Sequence, residues 1–364
     1  MGKLPKKMSG VLLVGHGGLE KLAYRTDLPV PTIEKDEVLI KVGASAVNNT
    51  DINTRIGWYS KQVTEQTNAG AHDGFRTIND NDASWSGVPI RFPLIQGADC
   101  CGEIIAVGEQ VSSNRIGERV LVRSMQEKAV SKDDFSCITF GSECHGGFAQ
   151  YTKVLATEAF PVRSSLSDAE LASFPCAYST AENMIERANI KANDTVLITG
   201  ASGGVGSAAV QLVKRRNAKA IAICSENKRE QLMQLGADEV IPRGENLLDS
   251  LGRNSVDVVL DLVAGKQWPE LPELLRKGGR YSVAGAIAGP IVDLDVRTLY
   301  LKDLSFFGCT YQPRSVFENL IRYIEQGELK PLIAKQYLLQ DIAIAQQDFM
   351  AKKFVGKLVL LPPQ

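Results

Sequence analysis

Long apolar runs are missing from this 364-residue chain. None approaches the ~20 residues needed to cross a bilayer, which excludes a helical membrane span. Charge of one sign is missing too. Lysine and arginine number 41 against 42 acids, so no net field draws the chain to nucleic acid or to an acidic membrane surface. No basic stripe with interleaved aromatics appears either. The seven cysteines include no CxxC pair and follow no regular spacing. That argues against a disulfide framework and for reduced thiols in a cytoplasmic protein. The basic start Met1–Lys7 is followed only by Val11–Val14, too short for a signal-peptide core. Internal repeats and low-complexity tracts are absent. What is present is 44% hydrophobic and 23% charged residues, the balance of a soluble globular chain. The length suggests two domains, each able to bury its own core.

The most informative stretch is Val196-Leu-Ile-Thr-Gly-Ala-Ser-Gly-Gly-Val-Gly206, continued by Ser207 to Arg216. Val196 to Thr199 read as a buried strand and Gly200 to Gly206 as a tight glycine turn. Ala208, Ala209, Leu212 and Val213 form the apolar face of a following helix. That succession makes an anion site: glycines let the backbone approach a pyrophosphate, and the free N–H groups of the helix start point at it. A turn that merely permits close helix–strand packing is the competing reading. A second strand at Ala220–Ile223 favours dinucleotide binding.

The chain changes character near residue 177. Before it lie short strand-like runs broken by glycine and proline: Val38–Val42, Gly102–Val107, Arg119–Val122 and Gly147–Tyr151. They form the all-β pattern of a small barrel. From Thr195 onward strands at Val196–Thr199, Ala220–Ile223, Glu239–Ile241, Val256–Leu260, Arg280–Ala284 and Leu304–Gly308 alternate with helices near 204–216, 227–235 and 267–276. Such alternation means an α/β fold with a doubly wound parallel sheet, its ligand at the carboxyl ends of the strands. A helix at Ser315–Gln326 and a strand at Lys357–Leu361 close the chain.

Several pieces occur in a telling order: Ala46-Val-Asn-Asn-Thr-Asp51 with Arg55 and Gly57; Pro93-Leu-Ile-Gln-Gly-Ala-Asp99; Gly102 to Gly108 with Gly117-Glu-Arg-Val120; and Gly146-Gly-Phe-Ala-Gln-Tyr151. The glycine turn, Leu235-Gly-Ala-Asp238, Val256 to Asp261, Gly278-Gly-Arg280 and the closing Gly356-Lys-Leu-Val follow. Over most of its length the chain thus resembles the medium-chain dehydrogenase/reductase superfamily, in its zinc-independent quinone oxidoreductase-like branch. The resemblance implies a GroES-like β-barrel catalytic domain made of residues 1–177 and 313–364, around a Rossmann domain of residues 178–312. It also implies hydride transfer from a nicotinamide.

Zinc-dependent relatives hold a catalytic metal with Cys, His and Cys, leaving one position open to substrate. The corresponding residues here are Asn48, Ala98 and Cys176. An amide and one thiol make a poor zinc site, and the four-cysteine structural lobe is reduced to Cys137 and Cys144, beside His145. No metal is expected. Cys100 and Cys101 cannot share one centre if they begin a strand, where side chains alternate.

The expected cofactor is NADPH. An acid at the end of the second strand usually binds the adenosine ribose of NAD, but here that position is Ile223, followed by Cys224 and Ser225. Ser225, Lys228 and Arg229 suit a 2′-phosphate, although the two cations also read as solvated residues of a helix start. By resemblance, Ser202, Gly203, Gly204 and Val205 face the pyrophosphate, and Thr180 the nicotinamide side. Val263 ends the fourth strand, Ala284 the fifth, and Phe307 and Cys309 the sixth. Lys357 falls near the pyrophosphate, or is a solvated lysine of a terminal strand.

Hydride transfer without a metal needs positioning and a donor for the negative charge that develops on substrate oxygen. Asn48, Thr50 and Tyr59 are the candidates, while Asp51 reads as a turn aspartate. The polar stretch Ser60–Arg91, with His72, Phe75 and Trp85, is longer than an ordinary connection and reads as a flap over the cleft or a surface insertion. The expected function is a zinc-free, NADPH-dependent oxidoreductase acting on a quinone, enone or other activated carbonyl. The alternatives are a zinc-type alcohol dehydrogenase with altered ligands and a non-catalytic NADPH-binding protein. The apolar sixth strand, an exposed edge unless paired, points to a homodimer.

Overall fold

A computed structural model describes residues 4–127 and 135–364; the first three residues of the basic start lie outside it. Two sheets dominate. In the coenzyme sheet six parallel strands run in the order Glu239–Pro242, Lys219–Cys224, Thr195–Ile198, Val256–Asp261, Leu275–Val283 and Ser305–Gly308. The central strand Thr195–Ile198 is apolar and buried on both faces, as a sheet covered by helices on either side requires. The second sheet has seven strands, six of them in the order Ala159–Pro161, Arg119–Val122, Cys101–Val107, Glu37–Ala46, Lys357–Leu361 and Ile333–Leu338. Tyr151–Leu155 also pairs with Glu37–Ala46. The C-terminal strand thus lies beside an N-terminal one, and both chain ends contribute strands to this second sheet.

Glycine closes the junction between strand and phosphate turn. Gly200 takes φ +58°, and a Cβ on Gly206 would stand 2.4 Å from the Gly200 carbonyl oxygen. Only glycine permits both the turn and the helix Gly204–Arg215 so close behind it. Ala208, Ala209, Leu212 and Val213 are buried against the sheet, as their spacing predicts.

Several boundaries differ from the sequence expectation. The expected strand at Gly147–Tyr151 begins only at Tyr151, because Gly147 and Phe148 donate their N–H groups to the loop at Gln96–Gly97. The expected helix at 267–276 shrinks to Glu270–Leu274, since Leu275 already pairs with Val256 in the sheet. Lys228 ends a 3-10 turn, Glu226–Lys228, and the α-helix starts at Arg229. The helix Pro175–Arg187 carries proline at its first position, where no N–H is needed. The helix Arg314–Glu325 packs Phe317, Leu320 and Ile324 into the same core as that helix. Cys101 starts a strand, and Cys100 and Cys101 join different apolar clusters, as alternation requires.

Candidate active site

The helix Asn49–Ile56 is capped by Asn48 in a reciprocal box. The Asn48 N–H donates to Asp51 Oδ2 at 2.7 Å, and Gly97 N–H reaches Asp51 Oδ1 at 3.2 Å. Asp51 therefore joins this helix start to the loop bearing Ala98 and Asp99. Burial pushes its carboxyl up to about 7, and neighbouring Asp99 acts the same way. The Asn48 and Gly97 N–H groups and Lys357 pull it back.

The Asn48 amide is fully engaged within the protein. Nδ2 donates to Asp99 Oδ2 at 2.7 Å and to the Ala46 carbonyl at 3.1 Å. Its Oδ1 accepts from Lys357 Nζ, which also donates to Asp99 Oδ2 at 2.9 Å. The other Asp99 oxygen accepts the Cys176 N–H at 2.6 Å. Asn48 was expected to donate to substrate; here both of its amide hydrogens are spent on holding Asp99 and the chain at Ala46. Lys357 is not the solvated lysine of the competing reading, for it is buried.

Thr50 and Tyr59, the other two expected catalytic residues, come together. The Tyr59 hydroxyl faces Thr50 and Asn53, and Cys176 and Asp51 are close enough to be felt electrostatically. Burial raises its pKa to about 12, opposed by the hydrogen bonds to Thr50 and Asn53. Burial likewise pushes the Cys176 thiol up. Thr180, one helical turn beyond Cys176, donates Oγ1 to the Cys176 carbonyl at 2.7 Å and accepts from Gln312 Nε2 at 3.2 Å.

A cleft of about 470 Å³ runs from this corner along the carboxyl ends of the parallel strands. Its volume is that of a ligand pocket. Asn48, Ser202, Gly203, Gly204, Val205, Ser225, Lys228, Val263, Ala284 and Lys357 all line it. The expected contacts Thr50, Tyr59, Thr180, Phe307 and Cys309 stand outside its lining. Cys309 is tied to the end of the fifth strand through its N–H to the Val283 carbonyl at 2.9 Å, with Sγ 3.2 Å from Ser282 Oγ.

At the second-strand end Ser225 and Lys228 are joined by Arg243, which sequence reasoning missed. Lys228 is buried and donates to Ser202 Oγ at 3.3 Å and to the Lys352 carbonyl at 2.7 Å. Burial lowers its pKa and the Arg243 charge adds to the lowering. Arg229 instead turns to Glu226 and the Val240 carbonyl, so the nearest acid and the expected second cation neutralise each other on the surface. Lys352 was also missed. It lines the cleft, reaches Asn49 Oδ1 at 3.2 Å and lies 3.8 Å from the Phe349 ring centroid. Burial, with help from Lys228, lowers its pKa to about 7. Sequence offered no pattern for either residue.

His72 is exposed and bonds to Asp73. The three residues of the reduced cysteine lobe point to different partners: Cys137 Sγ to Met125 Sδ, Cys144 Sγ to the Thr139 carbonyl and His145 Nδ1 to the Ile95 N–H. Among the described residues no group of three or more His, Cys, Asp or Glu is placed to hold a metal ion.

A phosphate-binding turn on a parallel sheet, opening to a cleft shared with a barrel-like domain, defines a dinucleotide-dependent oxidoreductase of two domains. Residues 34–164 match the family model of the alcohol dehydrogenase GroES-like domain, and residues 204–326 that of zinc-binding dehydrogenases. A solved structure from Sinorhizobium meliloti 1021, provisionally described as an alcohol dehydrogenase, is 44% identical. The likeness covers 99% of this chain and 98% of that one, with a TM-score of 0.88. The quinone oxidoreductase of Rattus norvegicus is 28% identical over 98% of each chain. The acryloyl-coenzyme A reductase of Metallosphaera sedula is 25% identical over 97% of this chain and 99% of its own. The chain belongs to the medium-chain dehydrogenase/reductase superfamily of nicotinamide-dependent oxidoreductases, on its quinone oxidoreductase-like branch.

One matching family model is named for zinc, and the residues here do not fit that ion. The position of the first ligand is an amide already saturated with hydrogen bonds, the second is the methyl group of Ala98, and the third is a buried thiol of raised pKa. An ammonium, that of Lys357, is held between Asn48 and Asp99.

Proposed function

We propose that the protein is an NADPH-dependent, zinc-free reductase that passes hydride to a quinone, an enone or another activated carbonyl. The observation that carries the coenzyme choice is the second-strand end of the cleft. Ser225, Lys228 and Arg243 meet there, Ile223 stands where an acid is needed to favour NAD, and Glu226 is paired with Arg229. A 2′-phosphate brings about two negative charges, which a hydroxyl and two cations answer.

The coenzyme supplies a hydride from its reduced ring when bound. The chain does the rest. The backbone of Ser202–Val205 and the start of helix Gly204–Arg215 hold the pyrophosphate. The network of Asn48, Asp99, Asp51 and Lys357 fixes the corner where the two domains meet, so Asn48 acts by positioning. Tyr59, a phenol protonated at neutral pH and held so more firmly by burial, which raises its pKa to about 12, donates a hydrogen bond to the substrate oxygen with Thr50 behind it. A quinone needs no more acid than this, since its reduced anion takes a proton from solvent.

Comparing kcat/KM for NADPH and NADH across a quinone and enone panel tests the reading. Strong preference for NADPH is expected, and equal efficiency overturns it. Zinc analysis of the purified protein, with activity in chelator, is expected to show turnover independent of metal. Tight NADPH binding without turnover across the panel would instead favour a non-catalytic role.

A homodimer is part of the proposal. The strand Ser305–Gly308 ends the parallel sheet, and Ile291, Val296, Tyr300 and Leu301 are exposed just before it in sequence. An unpaired edge beside exposed apolar side chains is a ready interface, which the mass in solution checks. No helix among the described residues is long and apolar enough to cross a membrane, consistent with the proposed cytoplasmic site of action.

A further inference from the structure

The stretch Ser60–Arg91 is longer than an ordinary connection, and it is not a loose appendage. Arg55 is fully buried and donates to the Gly17 carbonyl at 2.8 Å and to the Ala71 carbonyl at 3.3 Å, with Nε on Gln346 Oε1 at 2.8 Å. Trp58 Nε1 donates to the Glu65 carbonyl at 2.9 Å. Ser60 Oγ accepts from Asn79 N–H at 2.8 Å, and Phe75 N–H donates to the Ile56 carbonyl at 3.0 Å. These bonds hold one short turn, Thr67–Gly70 with Gln66 before it, against the other domain. Thr67 N–H donates to the Ile287 carbonyl at 3.1 Å, beyond the end of the fifth parallel strand. Gln66, Thr67 and Asn68 all line the cleft, opposite Val263, Ala284 and Ala288.

Thr67 is 1% exposed, yet its Oγ1 has no hydrogen-bond partner in the protein. A buried hydroxyl without a partner is costly, and this one belongs to a residue at the cleft wall. The position along the sheet tells which half of a dinucleotide it meets. Ser225, Lys228 and Arg243 sit at one side of the sheet's midline, beyond the first and second strands in the order. Thr67 sits at the other, by the fifth strand. The pyrophosphate lies between, on the turn at Ser202–Val205.

We propose that the turn Gln66–Asn68 is a binding element for the nicotinamide riboside half of the coenzyme. It offers two uncharged amide side chains and the free Thr67 hydroxyl to ribose hydroxyls or the ring carboxamide. The coenzyme is then gripped from both domains, and its reactive half is read by an insertion rather than by the parallel sheet alone. This inference rests on the NADPH reading above. No charge is offered at this end, so the turn recognises polar neutral groups and is indifferent to the 2′-phosphate.

The test uses the whole chain and two ligands: NADPH, and 2′-phospho-ADP, which has the same adenosine and pyrophosphate but no nicotinamide riboside. The variants are Thr67→Val, which removes the hydroxyl at constant shape, Asn68→Ala at an exposed position, and Thr67→Pro. The last deletes the N–H given to Ile287 at the first residue of a turn, a place that tolerates proline. Each is expected to weaken NADPH about 3- to 10-fold, the loss of one neutral hydrogen bond. Binding of 2′-phospho-ADP, which also reports that the variant is folded, is expected to stay unchanged. Should Thr67→Pro fail to fold, Thr67→Val and Asn68→Ala decide. Unchanged NADPH binding in both, or equal weakening of both ligands, overturns the proposal. Failure of the unaltered protein to bind either ligand would instead overturn the coenzyme reading, and this one with it.

Discussion

Lys357 donates to Asp99 Oδ2 at 2.9 Å, with side-chain exposures of 3% and 0%, and Asn48 bonds to both. The lysine comes from the last strand, the aspartate from the loop ahead of Cys101 and the asparagine from a helix cap. One buried ion pair therefore joins three separate segments of the chain, and the Lys357 stem lies against Gly204 of the glycine turn. Removing the cation alone leaves a buried carboxylate uncompensated, which costs about 3–5 kcal/mol. Lys357→Met should lose stability on that scale in urea unfolding. Adding Asp99→Asn should restore part of it, with a coupling energy above ~1 kcal/mol. Simple additivity of the two changes would mean that the pair does not act as a unit.

The missed arginine carries the second prediction. Arg243 is exposed toward the cleft and adds its charge to that of Lys228. A charged hydrogen bond to phosphate contributes about 1.5–3 kcal/mol. Arg243→Ala should therefore raise KM for NADPH about 10- to 100-fold and leave KM for NADH nearly unchanged. Equal losses for the two coenzymes would place the arginine's effect elsewhere than on the 2′-phosphate.

What the sequence carried and what it hid have separate physical causes. The phosphate turn was readable because strand, glycines and helix are contiguous, and each has its own local signal. Arg243 was hidden because it follows the edge strand Glu239–Pro242, and only the strand order brings it beside Ser225. The helix Pro175–Arg187 gave no amphipathic stripe, since every residue from Pro175 to Ile185 is buried. Thr50 and Tyr59 are readable in the sequence as separate candidates, and their meeting depends on Gly57 turning the chain in the left-handed conformation at φ +75°. Asn48 lies at the corner of the cleft. Its hydrogen bonds, made to residues as distant as Asp99 and Lys357, were beyond any local pattern.

Lys352 makes affinity depend on pH. Its pKa is lowered to about 7 by burial and by Lys228, so its ammonium is lost as pH rises through that value. A polyanionic coenzyme favours the charged form. NADPH binding should weaken above pH 7 by at most about tenfold per unit. The ionisation of Asp51, also near 7, works in the same direction. Lys352→Met should flatten most of the slope and lower affinity at pH 6. The coenzyme-free protein should show the opposite trend from this lysine: an unfolded chain binds the extra proton between about 7 and the ordinary lysine value, so stability rises with pH there. Titration calorimetry against pH, with thermal unfolding of the free protein, separates the two.

In the proposed mechanism the Tyr59 hydroxyl serves as donor to the substrate, since the Asn48 amide is committed to Asp99 and Ala46. Loss of one preorganised donor to a developing oxyanion costs about 10²-fold in turnover. Tyr59→Phe keeps the ring and its edge-on contact with Trp58, 5.8 Å between centroids, so coenzyme affinity and stability should hold. For an enone or a simple carbonyl, kcat should fall about 10²-fold. For a quinone, whose reduced anion is already stabilised by the aromatic ring it forms, the fall should be several-fold at most. A solvent isotope effect on the enone reaction that disappears in Tyr59→Phe would place the proton on that hydroxyl. Unchanged kcat for every acceptor would remove Tyr59 from the chemistry and leave orientation of the two reactants as the whole of the rate enhancement.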